Sequence, residues 1–311
     1  MESRISPPAP AETLAAHFQA AIPWANGILL LVQLELAAAP GELAPAERTV
    51  KLLTVGNSFA YNATHYLRQL AAAAGHQVVI GYANSSGCSL EEHWLAVRAF
   101  EENPAGTAGR IYPAGPERAN LALRELLAQH DWDYVTIQQA SALSDDIASY
   151  RPYAGLLYDY IAEHAPGAEI LVHETWAYRR DHPRFKDGGG NPQEMYGGIS
   201  RAYSTIAREL GARVVPVGAA FHSVSSHPDW QLERDESFDP ATAVYPEVSR
   251  DRGTLLRGWS WTEGEDEAER EMWFDAFHAN AKGRYLAACV FYEILLDESA
   301  VGNPFIAERV S

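Results

Sequence analysis

Residues 51–75, KLLTVGNSFAYNATHYLRQLAAAAG, indicate the fold class most directly. The stretch begins with the short apolar run Lys51 to Val55, which Gly56 ends. Within a few residues the pattern becomes that of an amphipathic helix, Tyr61 to Ala74, and Gly75 is placed where a helix would stop. A buried strand that leads directly into a helix is the first half of a βαβ unit. This stretch therefore predicts a parallel sheet.

The same alternation of short apolar runs and longer helical stretches continues along the chain. The predicted strands are Lys51–Val55, Gln77–Tyr82, Tyr134–Gln138, Glu169–His173 and Arg213–Val217. The predicted helices are Tyr61–Ala74, Leu90–Phe100, Glu117–Gln129, Tyr153–His164, Gln193–Leu210 and Ala281–Leu296. With right-handed crossovers, this pattern predicts an α/β fold. We expect a three-layer αβα sandwich with a flavodoxin-like parallel sheet of about five strands.

After Val50 two stretches do not fit the repeat, the Gly/Pro-rich Arg180–Pro192 and the longer His227–Glu271. We assign residues 50–311 to one domain, with an insertion at about 227–271 that mixes tryptophans with many charges. Residues 1–49 form an N-terminal extension whose apolar run Ile28–Val32 precedes Ala37-Ala38-Ala39. That pattern is similar to a degenerate signal segment and favours export to the periplasm or beyond the cell. The alternative is an amphipathic N-terminal helix in a cytoplasmic protein.

Composition limits the classes of partner. Hydrophobic residues make up 47% and charged residues 21% of the 311 residues, and these are ordinary globular values. The formal net charge of -17 would repel phosphate backbones and anionic lipid, so we expect no nucleic-acid partner and no membrane-surface partner. The apolar run Ile28–Val32 is too short to span a bilayer, so we expect no membrane span. Cys88 and Cys289 lack metal-ligand spacing, and two free thiols are favoured over a disulfide.

A serine after the first predicted strand is the first candidate for chemistry. In an open parallel sheet, ligands bind outside the carboxyl ends of the strands. Ser58 lies there, just before a helix, where backbone N–H groups favour developing negative charge. The alternative role for Ser58 is that of a helix N-cap.

A serine nucleophile needs a base, and the base needs a third group to orient it. Asp275 and His278 are three residues apart and precede the last predicted helix, so both side chains can lie on one face. A solvated surface pair is the alternative. Donors for an oxyanion could come from Gly87, after the second strand, and from the Gln138-Gln139 pair, after the third.

Taken together, these blocks resemble those of the SGNH, or GDSL-like, hydrolases. Gly56-Asn57-Ser58, Gly87, Gln139 and Asp275 with His278 match that family's blocks in order and approximate spacing. The resemblance implies a catalytic triad of Ser58, His278 and Asp275, and an oxyanion hole formed by Ser58, Gly87 and Gln139. Two departures stand out: Asn57 replaces the usual aspartate, and Gln-Gln-Ala-Ser replaces the GxND block. A glutamine in that block is similar to the pattern of carbohydrate O-acetylesterases. By that analogy we assign the third oxyanion donor to Gln139 rather than to Gln138.

Four further residues are candidates for substrate binding. His173 and Trp176 follow the fourth predicted strand, and Trp259 and Trp261 lie in the insertion. Aromatic faces of this kind can stack on a sugar ring. The alternative is that His173 and Trp176 are packed in the core and that the other tryptophans fasten the insertion.

The sequence therefore predicts a serine esterase that hydrolyses O-acyl esters, chiefly O-acetyl esters of carbohydrates, through an acyl-enzyme. It requires no metal and no organic cofactor, and its partner is a small-molecule or glycan ester. Three alternatives stay open: a lipase or thioesterase, acyl transfer to a second alcohol, and a catalytically silent carbohydrate-binding protein on the same fold. The oligomeric state is left open.

Overall fold

The computed structural model describes residues 47–115, 118–262 and 269–307. The predicted signal segment lies outside these residues. The main sheet contains β1 (Thr49–Gly56), β2 (Gln77–Asn84), β3 (Tyr134–Ile137), β4 (Glu169–His173) and β5 (Arg213–Val215), and a hairpin pairs β6 (Trp259–Trp261) with β7 (Met272–Phe274). The helices are α1 (Ser58–Ala63), α2 (Leu67–Ala73), α3 (Leu90–Glu102), α4 (Leu123–Leu127), α5 (Tyr153–His164), α6 (Pro192–Leu210), α7 (Val217–Ser225) and α8 (Ala281–Leu296).

The five main strands form one parallel sheet in the order β2-β1-β3-β4-β5. Helix α8 packs against α1, α2 and α7, whereas α5 packs against α3, α4 and α6, so helices lie in two groups about the sheet. The predicted three-layer α/β fold is confirmed. Neighbours in β1, Leu52 and Leu53, are both fully buried, as expected of a central strand covered on both faces.

Register brings the carboxyl ends of three strands together. Gly56 at the end of β1 pairs with Asn84 at the end of β2, and Val55 pairs with Ile137 at the end of β3. Ser85 N–H also donates to the Gly56 carbonyl at 3.1 Å. The segments that follow these three strands must therefore meet above β1, and they carry Ser58, Gly87 and the Gln138-Gln139 pair.

Three predicted elements differ from the structure for local reasons. The helix expected over 117–129 is the short α4, Leu123–Leu127, because Leu121 exchanges backbone hydrogen bonds with Tyr112 instead. The single helix expected over 61–74 is two helices, and Thr64, which caps α1, turns its hydroxyl back to the Ala60 carbonyl at 2.8 Å. Strand β5 ends at Val215 rather than at Val217, because Pro216 cannot donate to the ladder. Val217 instead begins helix α7, which was not predicted.

The segment at about 227–271 is fastened by buried charges. The guanidinium of Arg179, only 4% exposed, forms ion pairs with Asp181 and Asp251, each at 2.7 Å, and donates to the Arg257 carbonyl at 2.9 Å. Arg257 N–H in turn donates to the His278 carbonyl at 2.9 Å. The segment is therefore tied to the loop between β7 and α8.

Candidate active site

Ser58 is the first residue of α1, directly after β1. Asn57 is the N-cap of this helix, and its Oδ1 accepts from Phe59 N–H at 3.1 Å. The alternative role of Ser58 as the cap is therefore taken by its neighbour. Ala60 N–H donates to the Asn57 carbonyl at 3.1 Å. Ser58 therefore lies in the first turn of α1, where the helix dipole favours negative charge.

Ser58, His278 and Asp275 form a continuous hydrogen-bonded chain. Ser58 Oγ lies 2.8 Å from His278 Nε2, and His278 Nδ1 lies 2.9 Å from Asp275 Oδ2. Asp275 comes from the end of β7, and His278 lies just before α8, so the hairpin and the helix position the pair. The structure thus brings together the three residues that the sequence predicts as a triad.

Asp275 is fully buried and stays ionised at neutral pH. Burial alone would raise its pKa, but hydrogen bonds from His278, together with the charges of His278 and Arg257, hold the pKa of Asp275 below its ordinary value. Its Oδ1 accepts from the His278 backbone N–H at 3.0 Å, and Arg257 Nη1 lies 3.5 Å from Oδ2. The carboxylate is therefore set to hold the imidazole in one orientation.

Asn57 joins three segments beneath the nucleophile. Its Oδ1 accepts from Gln138 Nε2 at 2.9 Å as well as from the helix, and its Nδ2 donates to the Cys88 carbonyl at 3.1 Å. The fully buried His93 supports the same turn, with Nε2 3.1 Å from the Gly56 carbonyl oxygen. Since both halves of the Asn57 amide are used, the departure from aspartate at this position has a structural role.

We expect Asn57→Asp to destabilise the protein by about 1 to 3 kcal/mol at pH 8, because a buried carboxylate would face the Cys88 carbonyl without a proton to share. A protonated carboxyl can donate there, so the destabilisation is smaller at pH 4. Urea unfolding of both proteins at the two pH values measures the difference. An equal free energy of unfolding at pH 8 would show that the Asn57 donor contributes nothing.

The predicted third oxyanion donor, Gln139, is corrected by the structure. Its Nε2 donates to Ser149 O at 2.9 Å and Ser149 Oγ at 3.1 Å, and its Oε1 accepts from Leu90 N–H and Ala140 N–H. Both ends of the amide are committed to the scaffold. Gln138 is the residue that contacts the nucleophile turn, through Asn57, whereas Gly87 lies in the turn after β2 with φ +65°.

His173 and Trp176 are also corrected, because neither reaches the surface. The His173 ring is fully buried at a centroid distance of 5.0 Å from Phe291, and burial lowers its pKa to about 3. Trp176 is fully buried and stacks between Phe59 and Phe221, at 4.3 and 4.5 Å. Both side chains are packing residues, as the structural alternative held.

Trp259 and Trp261 lie on the face of the hairpin that points away from His278. Trp259 pairs with Phe274 and Ser260 pairs with Trp273 in the β6–β7 ladder. Because successive side chains alternate between faces, Trp259 and Trp261 share the Phe274 face, and Trp273 lies on the other. Trp273 is the hairpin tryptophan on the His278 side, with a distance of 6.4 Å between the two ring centroids. Trp273 stands two residues before Asp275, but this spacing places both on one face only once the strand is known.

A buried carboxyl, Glu174, follows β4. Burial raises the pKa of Glu174 to about 7, although its Oε2 accepts from Ala219 N–H in the first turn of α7 at 2.8 Å, which opposes the rise. A folded-state pKa above the ordinary 4.5 stabilises the fold fully below pH 4.5, and this stabilisation is lost as the pH rises through about 7.

We expect Glu174→Gln to become more stable than the wild type as the pH is raised, by up to about 3 kcal/mol at pH 8. Glutamine keeps the acceptor for Ala219 N–H but removes the buried charge. The measurement is the free energy of unfolding in urea at pH 4.5, 6 and 8, with the exposed Glu163→Gln as the matched control. If the free energy of unfolding changes with pH in the same way for the wild type and Glu174→Gln, the pKa of Glu174 is not raised in the folded protein.

No group of three or more histidine, cysteine, aspartate or glutamate side chains suited to a metal ion occurs within residues 47–115, 118–262 and 269–307. In the same ranges, no helix is long and apolar enough to cross a membrane. Cys88 and Cys289 carry free thiols, and burial raises the pKa of each to about 12.

Fold and site together define an α/β protein in which Ser58, His278 and Asp275 form a hydrogen-bonded chain at the carboxyl end of the parallel sheet. The chain belongs to the DUF4886 family, described as a domain of unknown function, and the family match spans residues 51–238. That span includes Ser58, whereas Asp275 and His278 lie beyond it.

Solved structures are similar to this chain over most of its length. A DUF4886 family protein from Bacteroides uniformis has a TM-score of 0.63 and 27% identity, covering 85% of this chain and 89% of that chain. A proposed SGNH hydrolase from Slackia heliotrinireducens has a TM-score of 0.47 and 21% identity, covering 79% and 98%. A proposed GDSL-like lipase from Parabacteroides merdae has a TM-score of 0.44 and 14% identity, covering 83% and 98%. No curated protein matches the sequence.

Proposed function

We propose that this protein is a serine esterase that hydrolyses O-acyl esters through an acyl-enzyme. The observation that carries the proposal is the chain of short contacts from Asp275 Oδ2 through His278 to Ser58 Oγ, at 2.9 and 2.8 Å. A base oriented by a buried carboxylate and placed on a serine hydroxyl is the arrangement that activates a serine nucleophile. Its position at the start of a helix beside a glycine turn supplies donors for an oxyanion.

In the first half of the reaction, Ser58 Oγ attacks the ester carbonyl as His278 Nε2 takes its proton. The Ser58 and Gly87 N–H groups hold the oxyanion, and Asp275 stabilises the imidazolium. The tetrahedral intermediate collapses, and His278 gives the proton to the departing alcohol. Water then attacks the acyl-enzyme with His278 as base, releasing the carboxylic acid and restoring the Ser58 hydroxyl.

Within this class we propose acetyl or similarly short acyl groups on carbohydrate alcohols. Phe59, next to Ser58, is buried in a stack with Trp176 and Phe221, and a filled core beside the nucleophile favours a short acyl group over a long chain. The net charge of -17 favours a neutral alcohol over an anionic one. The protein acts without a cofactor, on a small-molecule or glycan ester, and we retain export as the proposed localisation.

A fluorophosphonate probe tests the proposed class without any assumption about substrate, because it labels only an activated serine. We expect covalent labelling at Ser58, located by peptide mass spectrometry. Hydrolysis of p-nitrophenyl acetate, butyrate and octanoate then tests the acyl preference, with acetate expected to be fastest. A wild-type protein that is neither labelled nor active on any ester, yet binds glycans, would establish the carbohydrate-binding alternative instead.

A further inference from the structure

One side of His278 is lined by a cluster of rings, here called the aromatic wall: Trp273, Phe277, Tyr178 and His182. The Phe277 ring lies 4.3 Å from that of His278, and the Trp273 ring lies 6.2 Å from Phe277, edge to face. Tyr178 and His182 continue the wall, at 5.6 and 6.1 Å from Phe277. Trp273, Phe277 and His182 are all partly exposed, so their surfaces can contact a ligand.

The wall is held in place from behind. The Trp176 indole Nε1 donates to the Phe277 carbonyl at 2.8 Å, and the Tyr178 hydroxyl lies 2.9 Å from Ser141 Oγ. Arg184 lies over the Tyr178 ring and forms an ion pair with Asp145 in the loop after β3. These contacts join three loops, so little conformational entropy is lost when a ligand binds.

The chemistry of the triad indicates which part of an ester meets this wall. His278 Nε2 must hand its proton to the oxygen of the departing alcohol, so that alcohol lies beside the imidazole. The oxyanion and acyl group lie toward the Ser58 and Gly87 N–H groups instead. Phe59 also lies 5.9 Å from His278, but it is buried. The partly exposed rings beside His278 are Phe277 and Trp273, and these therefore flank the alcohol portion of the substrate.

The wall also contains one polar donor. His182 Nδ1 accepts from Arg184 N–H at 3.0 Å, which fixes the neutral ring with its proton on Nε2. Burial, reinforced by the charge of Arg184, lowers the pKa of His182, so the ring is neutral at pH 7. The wall thus combines apolar ring faces with an N–H group that does not depend on a charge.

We propose that the aromatic wall is the leaving-alcohol subsite of this protein and that it takes an uncharged pyranose ring. A pyranose offers an apolar C–H face for Trp273 and Phe277 and hydroxyl groups for the His182 N–H. A flexible alkyl alcohol would leave the His182 donor unused, and an anionic alcohol is disfavoured by the net charge of -17. This inference rests on the proposed esterase function.

The matched pair of variants is Trp273→Ala and Trp259→Ala, which remove the same side chain from opposite faces of one hairpin. We would measure kcat/KM for a methyl glucoside carrying one acetyl group and for ethyl acetate, which has no ring. For Trp273→Ala, the ratio of the two values is expected to fall about five- to tenfold, mainly through KM for the glucoside. Trp259→Ala should keep the wild-type ratio.

Trp273→Phe keeps an aromatic face, so its ratio of the two kcat/KM values should be close to that of the wild type. This result would show that the fall in Trp273→Ala comes from lost stacking and not from misfolding. His182→Phe keeps a ring but removes the donor. It should lower kcat/KM for the glucoside acetate more than kcat/KM for the same compound with its free hydroxyls methylated. An unchanged ratio in Trp273→Ala, or an equal fall in Trp259→Ala, overturns the subsite while the esterase stands. A wild type that hydrolyses neither ester and resists the fluorophosphonate overturns the esterase itself.

Discussion

Ser58→Ala is expected to lower kcat for acetate ester hydrolysis by about ten-thousand-fold or more, because the variant has no group that can form the acyl-enzyme. The Ser58 hydroxyl is the atom that His278 Nε2 contacts at 2.8 Å. Ester binding should change little, since the residues of the aromatic wall are untouched. The measurement is the steady-state rate on p-nitrophenyl acetate, with fluorophosphonate labelling in parallel.

Ser204→Ala is the matched control. The Ser204 hydroxyl is exposed on α6 and donates only to the carbonyls of Ser200 and Arg201 in its own helix, at 2.7 and 3.2 Å. It should keep wild-type activity and labelling. If Ser58→Ala keeps more than about a tenth of the wild-type rate, the nucleophile lies elsewhere and the triad is a structural hydrogen-bond chain.

The parallel sheet could be read from the sequence because buried strands leave a strong local signal. β4 and the helices α5 and α8 have the predicted bounds, since each is bounded by clear start or stop residues. The hairpin of β6 and β7 could not be predicted in the same way. Its strands are only three residues long, they are half-buried, and they lie within a segment rich in charge.

The contact of Ser58, His278 and Asp275 could be predicted because it depends on residue type and spacing. The direction in which a side-chain amide points cannot be predicted in this way. Gln138 and Gln139 are adjacent residues of the same type, and only their hydrogen-bond partners in the fold distinguish their roles. Gln139 faces Ser149 and the start of α3, whereas Gln138 faces Asn57. In the same way, which tryptophan meets His278 depends on strand register, which is settled by pairing across the hairpin.

Arg179 connects the segment at about 227–271 to the site. This buried guanidinium pairs with Asp251 of that segment and donates to the Arg257 carbonyl, and Arg257 N–H donates to the His278 carbonyl. Asp275 N–H donates to Gly258 O at 2.9 Å in the same stretch. The loop that carries Asp275 and His278 is therefore held by backbone contacts to the segment that sequence periodicity left unassigned.

Asp275→Asn is expected to lower kcat by about ten-thousand-fold, by reversing the polarity of one contact. Asp275 Oδ1 accepts from two backbone N–H groups, Phe277 at 3.4 Å and His278 at 3.0 Å, while Oδ2 faces His278 Nδ1. An asparagine that keeps its oxygen toward the backbone turns its NH2 toward Nδ1. The imidazole proton is then forced onto Nε2. A protonated Nε2 can no longer accept the proton of Ser58.

The opposite amide orientation is also unfavourable, because the NH2 group would then face the two backbone N–H groups. This repulsion would lower the free energy of unfolding of the variant. The rate of fluorophosphonate labelling, measured beside kcat, should fall in both variants that damage the base, Asp275→Asn and His278→Ala. The exposed Asp159→Asn on α5 controls for loss of charge and should behave as wild type. Near-wild-type labelling of a folded Asp275→Asn would mean that Ser58 is activated without the carboxylate, and His278 would then have to be oriented by its backbone contacts alone.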